Sequence, residues 1–91
     1  MITASVNHRL GIEGARQRLL ELFERKQIEC AWEADGLVGV VQKALPLVGV
    51  AKARVTVREE SVDVELLQAP AFPSPATIQR AMVDELSRVL A

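Results

Sequence analysis

Ala51, Ala53, Val55 and Val57 alternate with Lys52, Arg54, Thr56 and Arg58. After Glu59-Glu60-Ser61, the residues Val62, Val64 and Leu66 alternate with Asp63 and Glu65. Successive side chains of a strand point to opposite faces, so each run predicts a strand with one buried face and one wet face. The wet face is basic on the first strand and acidic on the second. Paired as an antiparallel hairpin, they would set opposite charges across from one another, at roughly 0.2 to 1 kcal/mol per pair. An apolar inner face needs a cover, and the small alanines of the first strand leave space for a helix to approach.

Two stretches have the period of such a cover. From Ile12, the residues Ile12, Ala15, Leu19, Leu22 and Phe23 fall on one helical face, with Glu13, Gln17, Glu21 and Arg25 opposite. This helix is expected to end near Lys26 or Gln27. Near the end of the chain, Ser74 is a good N-cap and Pro75 sits at the first helical position, where its missing N–H costs nothing. Ile78, Met82, Leu86 and Val89 form the main apolar stripe of this second helix.

The remaining alternating runs are strands. Ile2, Ala4 and Val6 alternate with polar residues before the first helix. Ile28, Cys30 and Trp32 alternate after it, and Asp35-Gly36 then supplies the positive φ of a tight turn into a strand from Leu37 to Gln42. The expected fold is α+β, in the order β-α-β-β-β-β-α: an antiparallel meander with two helices on one face, forming a single domain over 1–91. A right-handed crossover would set the N-terminal strand parallel to the next strand at an edge of the meander, though the pattern does not fix its place.

Composition narrows the function classes. Hydrophobic residues make up 49% of the 91 residues and charged residues 25%, which is outside the regime of disorder. With 3% aromatics, a net charge of −1 and no Lys/Arg block, nucleic acid is not an expected partner. Cys30 is the only cysteine and His8 the only histidine, so neither an internal disulfide nor an ordinary zinc site is expected, and no cofactor is. Residues 1–10 lack the apolar region of a signal peptide, and no apolar run approaches the ~20 residues of a membrane span. The expected location is cytoplasmic.

Connections of a meander fall alternately at its two ends. Ala44 to Val50 and Gln68 to Pro73 would therefore share one end, and neither carries a charge. Either Leu45, Leu47, Val48 and Phe72 form an exposed patch for a partner, or Leu47, Val48 and Phe72 fold inward and close the core. Val83 and Leu90 widen the apolar arc of the last helix, so that helix is either deeply inserted or part of a subunit interface, with a homo-oligomer as the expectation.

Residues suited to chemistry are few. His8, at the opposite end, could act as a general base with Arg9 or Glu13 only if positioned. The plainer role is to cap a helix or bond a backbone carbonyl. Cys30 and Trp32 read as core, and Arg16 and Glu85 as margins of the helical apolar faces, where His8–Arg16 or Arg16–Glu85 pairs could form without being a signature of anything. Gly36, Gly39 and Gly49 do not have the spacing of a phosphate loop. No catalytic residue is assigned and no enzyme activity is expected.

His8-Arg9-Leu10, Glu13-Gly14-Ala15-Arg16, Trp32 followed by Asp35-Gly36, the paired amphipathic strands and the Pro-led terminal helix together resemble the polyhydroxyalkanoic acid system proteins. These form a small bacterial family associated with polyester-granule genes. The stretch from Gln42 to Ala51 is longer and less polar than the connection expected of that family. The resemblance implies a process, polymer storage, and no catalytic residues. The leading expectation is a non-enzymatic accessory protein that self-associates and docks its apolar end on a polyester granule or a granule-bound protein. The alternative is a carrier of a small, lipid-like ligand, a shortened version of the helix-grip domains. A hydrolase using His8 is a minor third.

Overall fold

The computed structural model describes residues 2–47, 49–70 and 74–91. Its elements are β1 (Ile2–Asn7), α1 (Gly11–Lys26), β2 (Glu29–Trp32), β3 (Val38–Leu45), β4 (Gly49–Val57), β5 (Ser61–Gln68) and α2 (Pro75–Val89). The expected α+β order β-α-β-β-β-β-α is the one observed, with all five strands in a single antiparallel sheet.

The place of β1 differs from the crossover expectation. The sheet order is β1-β5-β4-β3-β2, so β1 and β2 point the same way but occupy opposite edges. β1 finds on β5 a partner for its whole length, from Ile2 opposite Leu66 to Asn7 opposite Ser61, whereas β2 is only four residues long. Beside β5, Ala4 and Val6 also fall opposite Val64 and Val62 and extend the apolar inner face.

The β3–β4 connection is shorter than its composition suggested. Ala44 pairs with Val50 and Leu45 with Gly49, so β3 and β4 continue into the uncharged stretch. Ladder hydrogen bonds there satisfy backbone groups that a loop would expose. At the other end of the sheet, Gly36 adopts φ 70° and its N–H bonds the Glu33 carbonyl at 2.9 Å, while Asp35 accepts from the Leu37 N–H at 2.9 Å. The Asp-Gly turn is thus built as its residues require.

The core lies between the sheet and the helices. Ala15, Leu19, Leu22 and Phe23 of α1 pack with Val55, Val57, Val62 and Val64 of the sheet and with Leu86 and Leu90 at the end of α2. α1 ends in a left-handed Gln27 at φ 57°, with the Ile28 N–H bonded to the Phe23 carbonyl at 2.8 Å. Lys43 of β3 donates to the Lys26 carbonyl at 3.1 Å, setting a cation on the negative end of the helix. α2 begins as its sequence predicts: Ser74 Oγ accepts from the Thr77 N–H at 3.3 Å and Pro75 occupies the first turn.

On the outer face, Arg54 and Glu65 stand directly opposite and meet at 2.7 Å, and Arg58 meets Asp63 at 2.7 Å. These are the expected cross-strand pairs. Both are solvent-exposed, so each contributes a few tenths of a kcal/mol up to ~1 kcal/mol.

Candidate functional site

Successive antiparallel strands bring the β3–β4 turn and the β5–α2 connection to one pole. They touch there, since a β-carbon on Gly49 would lie 3.5 Å from Pro70 Cβ. Leu47, at the tip of the turn, is fully exposed and has φ 68°. Val48 and Phe72 lie outside the described residues. Leu45 is half-buried.

The two α2 residues expected at a partner interface are used otherwise. Leu90 is only 2% exposed and belongs to the core, and Val83 is half-buried against it. This corrects the interface reading for Leu90. The broad apolar arc covers the chain's own core because α2 bears on both β1 and α1. The expectation of a homo-oligomer loses the support it drew from α2.

Below the same pole, the sheet and α2 do not close on each other. A cleft of about 390 Å³ separates them, within the usual size range of small-molecule sites. Its floor is Val41 and Leu45 of β3, Ala51 and Ala53 of β4, and Leu66 of β5. Its wall is Ile78, Ala81 and Met82 of α2, with Ile28 where the chain leaves α1. The physical cause is side-chain size. Alanines at 51, 53 and 81 leave unfilled the volume that larger residues would occupy between two elements at this spacing. The β4 alanines therefore admit a helix, as expected, and also leave part of the space open.

A second hollow of about 350 Å³ adjoins the first and shares Lys26, Gln42 and Lys43 with it. Gln27, Glu29, Ala44 and Pro46 complete it, making it far more polar than the cleft. Lys26 lies 3.8 Å from Glu85 Oε1, and Arg88 holds Oε2 of the same carboxylate at 3.0 Å. Lys26 and Lys43 thus stand at the boundary between an apolar space and a polar one.

At the opposite pole, both ring nitrogens of His8 are engaged. His8 is buried, its Nδ1 accepts from the Leu10 N–H at 3.2 Å, and its Nε2 lies 3.1 Å from the Arg58 carbonyl. An acceptor role for Nδ1 puts the ring proton on Nε2, which donates to that carbonyl. The imidazole joins the start of α1 to the end of β4, the plainer of its two expected roles. Neither the His8–Arg16 nor the Arg16–Glu85 pair forms: Arg16 lies over the Trp32 ring, and Glu85 pairs with Lys26 and Arg88. Burial raises the Cys30 thiol above its ordinary pKa, and the positive charge of Arg16 offsets this only in part. Among the described residues, no three His, Cys, Asp or Glu side chains gather as a metal site, and no helix is long and apolar enough to cross a membrane.

The alanine positions were the only signal of the cleft in the sequence. Lys26 and Lys43 carried none, because they are 17 positions apart in the chain and the Lys43 side chain reaches the Lys26 carbonyl only in the folded protein. No protein-family model matches this chain, and comparisons with curated proteins and with solved structures returned no match.

Proposed function

We propose that this chain is a non-enzymatic binding protein that carries a small hydrophobic ligand in the cleft between α2 and the sheet. The observation that supports this reading is the cleft itself: about 390 Å³ of space walled by aliphatic side chains, left open in a domain of 91 residues. Empty apolar space forfeits dispersion contacts, and a hydrocarbon chain would restore them. Titration with 1-decanol, followed by the methyl signals of Ile28, Ile78 and Met82, tests the reading. A saturable shift that disappears in Ala81→Phe is the expected result. A wild-type protein whose methyl signals do not respond would remove the proposal.

Leu47 favours a second reading, in which the same pole docks on a hydrophobic surface. Leu47 is fully exposed at positive φ, and contact with a hydrophobic surface would take its apolar side chain out of water. Here the resemblance to polyhydroxyalkanoic acid system proteins enters as a proposal: the surface is a polyester granule or a granule-bound protein in the cytoplasm. Co-sedimentation with granules should be lost in a folded Leu47→Asp variant, and unchanged co-sedimentation would refute docking. Self-association is part of this second proposal. Light scattering at micromolar concentration decides it, with the 10.0 kDa mass of a single chain as the outcome against it.

A further inference from the structure

Resting on the carrier reading, we propose that the ligand is an anionic amphiphile, a free medium-chain carboxylate, with its tail in the apolar cleft and its head in the adjoining polar hollow between Lys26 and Lys43. The two hollows adjoin and share Lys26, Gln42 and Lys43 in their linings, which sets the proposed head group beside the proposed tail site. Their lining carries Lys26, Lys43 and Lys52 against Glu29 and Glu85, and Arg88 already engages Glu85 from outside at 3.0 Å. The local balance is positive although the whole chain has a net charge of −1.

The two lysines at the boundary have donors to give. Lys43 commits one N–H to the Lys26 carbonyl at 3.1 Å and keeps two. Among the described residues, the one ion pair of the Lys26 ammonium is the 3.8 Å approach of Glu85, and its side chain is half exposed. The carbonyl end of α1 disfavours an anion nearby, and Lys43 sits on that end. A carboxylate reaching Lys26 and Lys43 would therefore meet two ammonium groups, while its hydrocarbon chain follows the aliphatic wall of α2. A cationic head would have to displace those ammonium groups to reach Glu85.

Three probes with the same tail separate the outcomes: decanoate, 1-decanol and decyltrimethylammonium, each titrated below its micelle concentration with the methyl signals of Ile28, Ile78 and Met82 as readout. Decanoate should bind about tenfold tighter than decanol, the scale of one charge-assisted hydrogen bond in the affinity. In Lys26→Gln/Lys43→Gln this preference should vanish, with a wild-type circular dichroism spectrum certifying that the variant is folded; a preference that persists in the folded variant overturns the two lysines as the head-group site. Equal affinity for decanoate and decanol in the wild type, or a preference for the cation, overturns the anionic head and leaves the carrier standing. Loss of all three probes overturns both. Response only to phosphatidylglycerol vesicles, with none to monomeric decanoate, overturns the free carboxylate in favour of a membrane lipid.

Discussion

The guanidinium carbon of Arg16 lies 5.2 Å from the centroid of the Trp32 ring, tying the first half of α1 to the edge strand β2. The same guanidinium would contact a β-carbon on Gly36 at 3.4 Å, so it also covers the Asp-Gly turn. A cation over an exposed-to-half-buried aromatic face is worth ~0.5–1 kcal/mol or somewhat more when desolvated. Arg16→Gln should lower stability by about 1 kcal/mol and shift the Trp32 emission. Urea unfolding followed by that fluorescence measures both, and an unchanged midpoint would show that the stacking contributes nothing.

His8 is buried with both ring nitrogens engaged. His8→Ala leaves the Arg58 carbonyl and the Leu10 N–H without that partner and opens a space under α1. The expected cost is ~1–3 kcal/mol. Decanol affinity at the far pole should be unaffected in the folded variant. A thermal melt and the decanol titration together check the pair of outcomes.

Gly39 lies close against the side chains of Cys30 and Trp32. A β-carbon there would stand 3.0 Å from Cys30 Sγ and 3.0 Å from Trp32 Cε3. Gly39→Ala should therefore destabilise by roughly 1–3 kcal/mol, as overpacking does. Adding Cys30→Ala should recover part of the loss by clearing one of the two contacts. A double-mutant cycle from denaturant midpoints gives the coupling, and strict additivity of the two changes would count against this packing.

Leu47 adopts a left-handed conformation that glycine adopts without penalty. Leu47→Gly should raise stability by about 1 kcal/mol, since the penalty removed outweighs the added freedom of the unfolded chain. The same variant should lose affinity for granules if the docking reading is right. Chemical denaturation reads the first effect, and a destabilised variant would refute the strain.

Asp63 is held below the ordinary carboxylate range by hydrogen bonds from Arg58 and then from Ser5. A carboxylate depressed in the folded state stabilises the protein at pH values above its unfolded pKa of ~3.9, and that stability is lost as pH falls through the lower folded value. The pair is well exposed, so only about 0.2–0.5 kcal/mol is expected. Asp63→Asn should thus be slightly less stable than the wild type from pH 5 to 8, with the gap closing below about pH 4. Parallel urea titrations at pH 7 and pH 3 test the sign.

Much of the architecture was legible in the chain. Alternation at Ala51–Val57 and Val62–Leu66, the Asp35-Gly36 turn and the Ser74-Pro75 start of α2 are local features, each settled by a few neighbouring residues. The edge position of β1 was not legible, because strand pairing is decided by which partner offers length and an apolar face, and β5 is far away in sequence. The site was legible only in outline. Uncharged connections at one pole could be read from alternating strand directions, but not whether Leu90 faced out or in.

The sequence by itself determined the periods, the caps, the turns and the sign of the two outer strand faces, because these depend on residues within a few positions of one another. Only the tertiary structure decided that β1 closes against β5, that Leu90 is buried, that alanines on β4 and α2 face each other across an open cleft, and that Lys26 and Lys43 meet at its rim. The physical reason is that packing and charge proximity depend on distances between elements. Those distances emerge only when the whole inner face of the sheet has been covered at once.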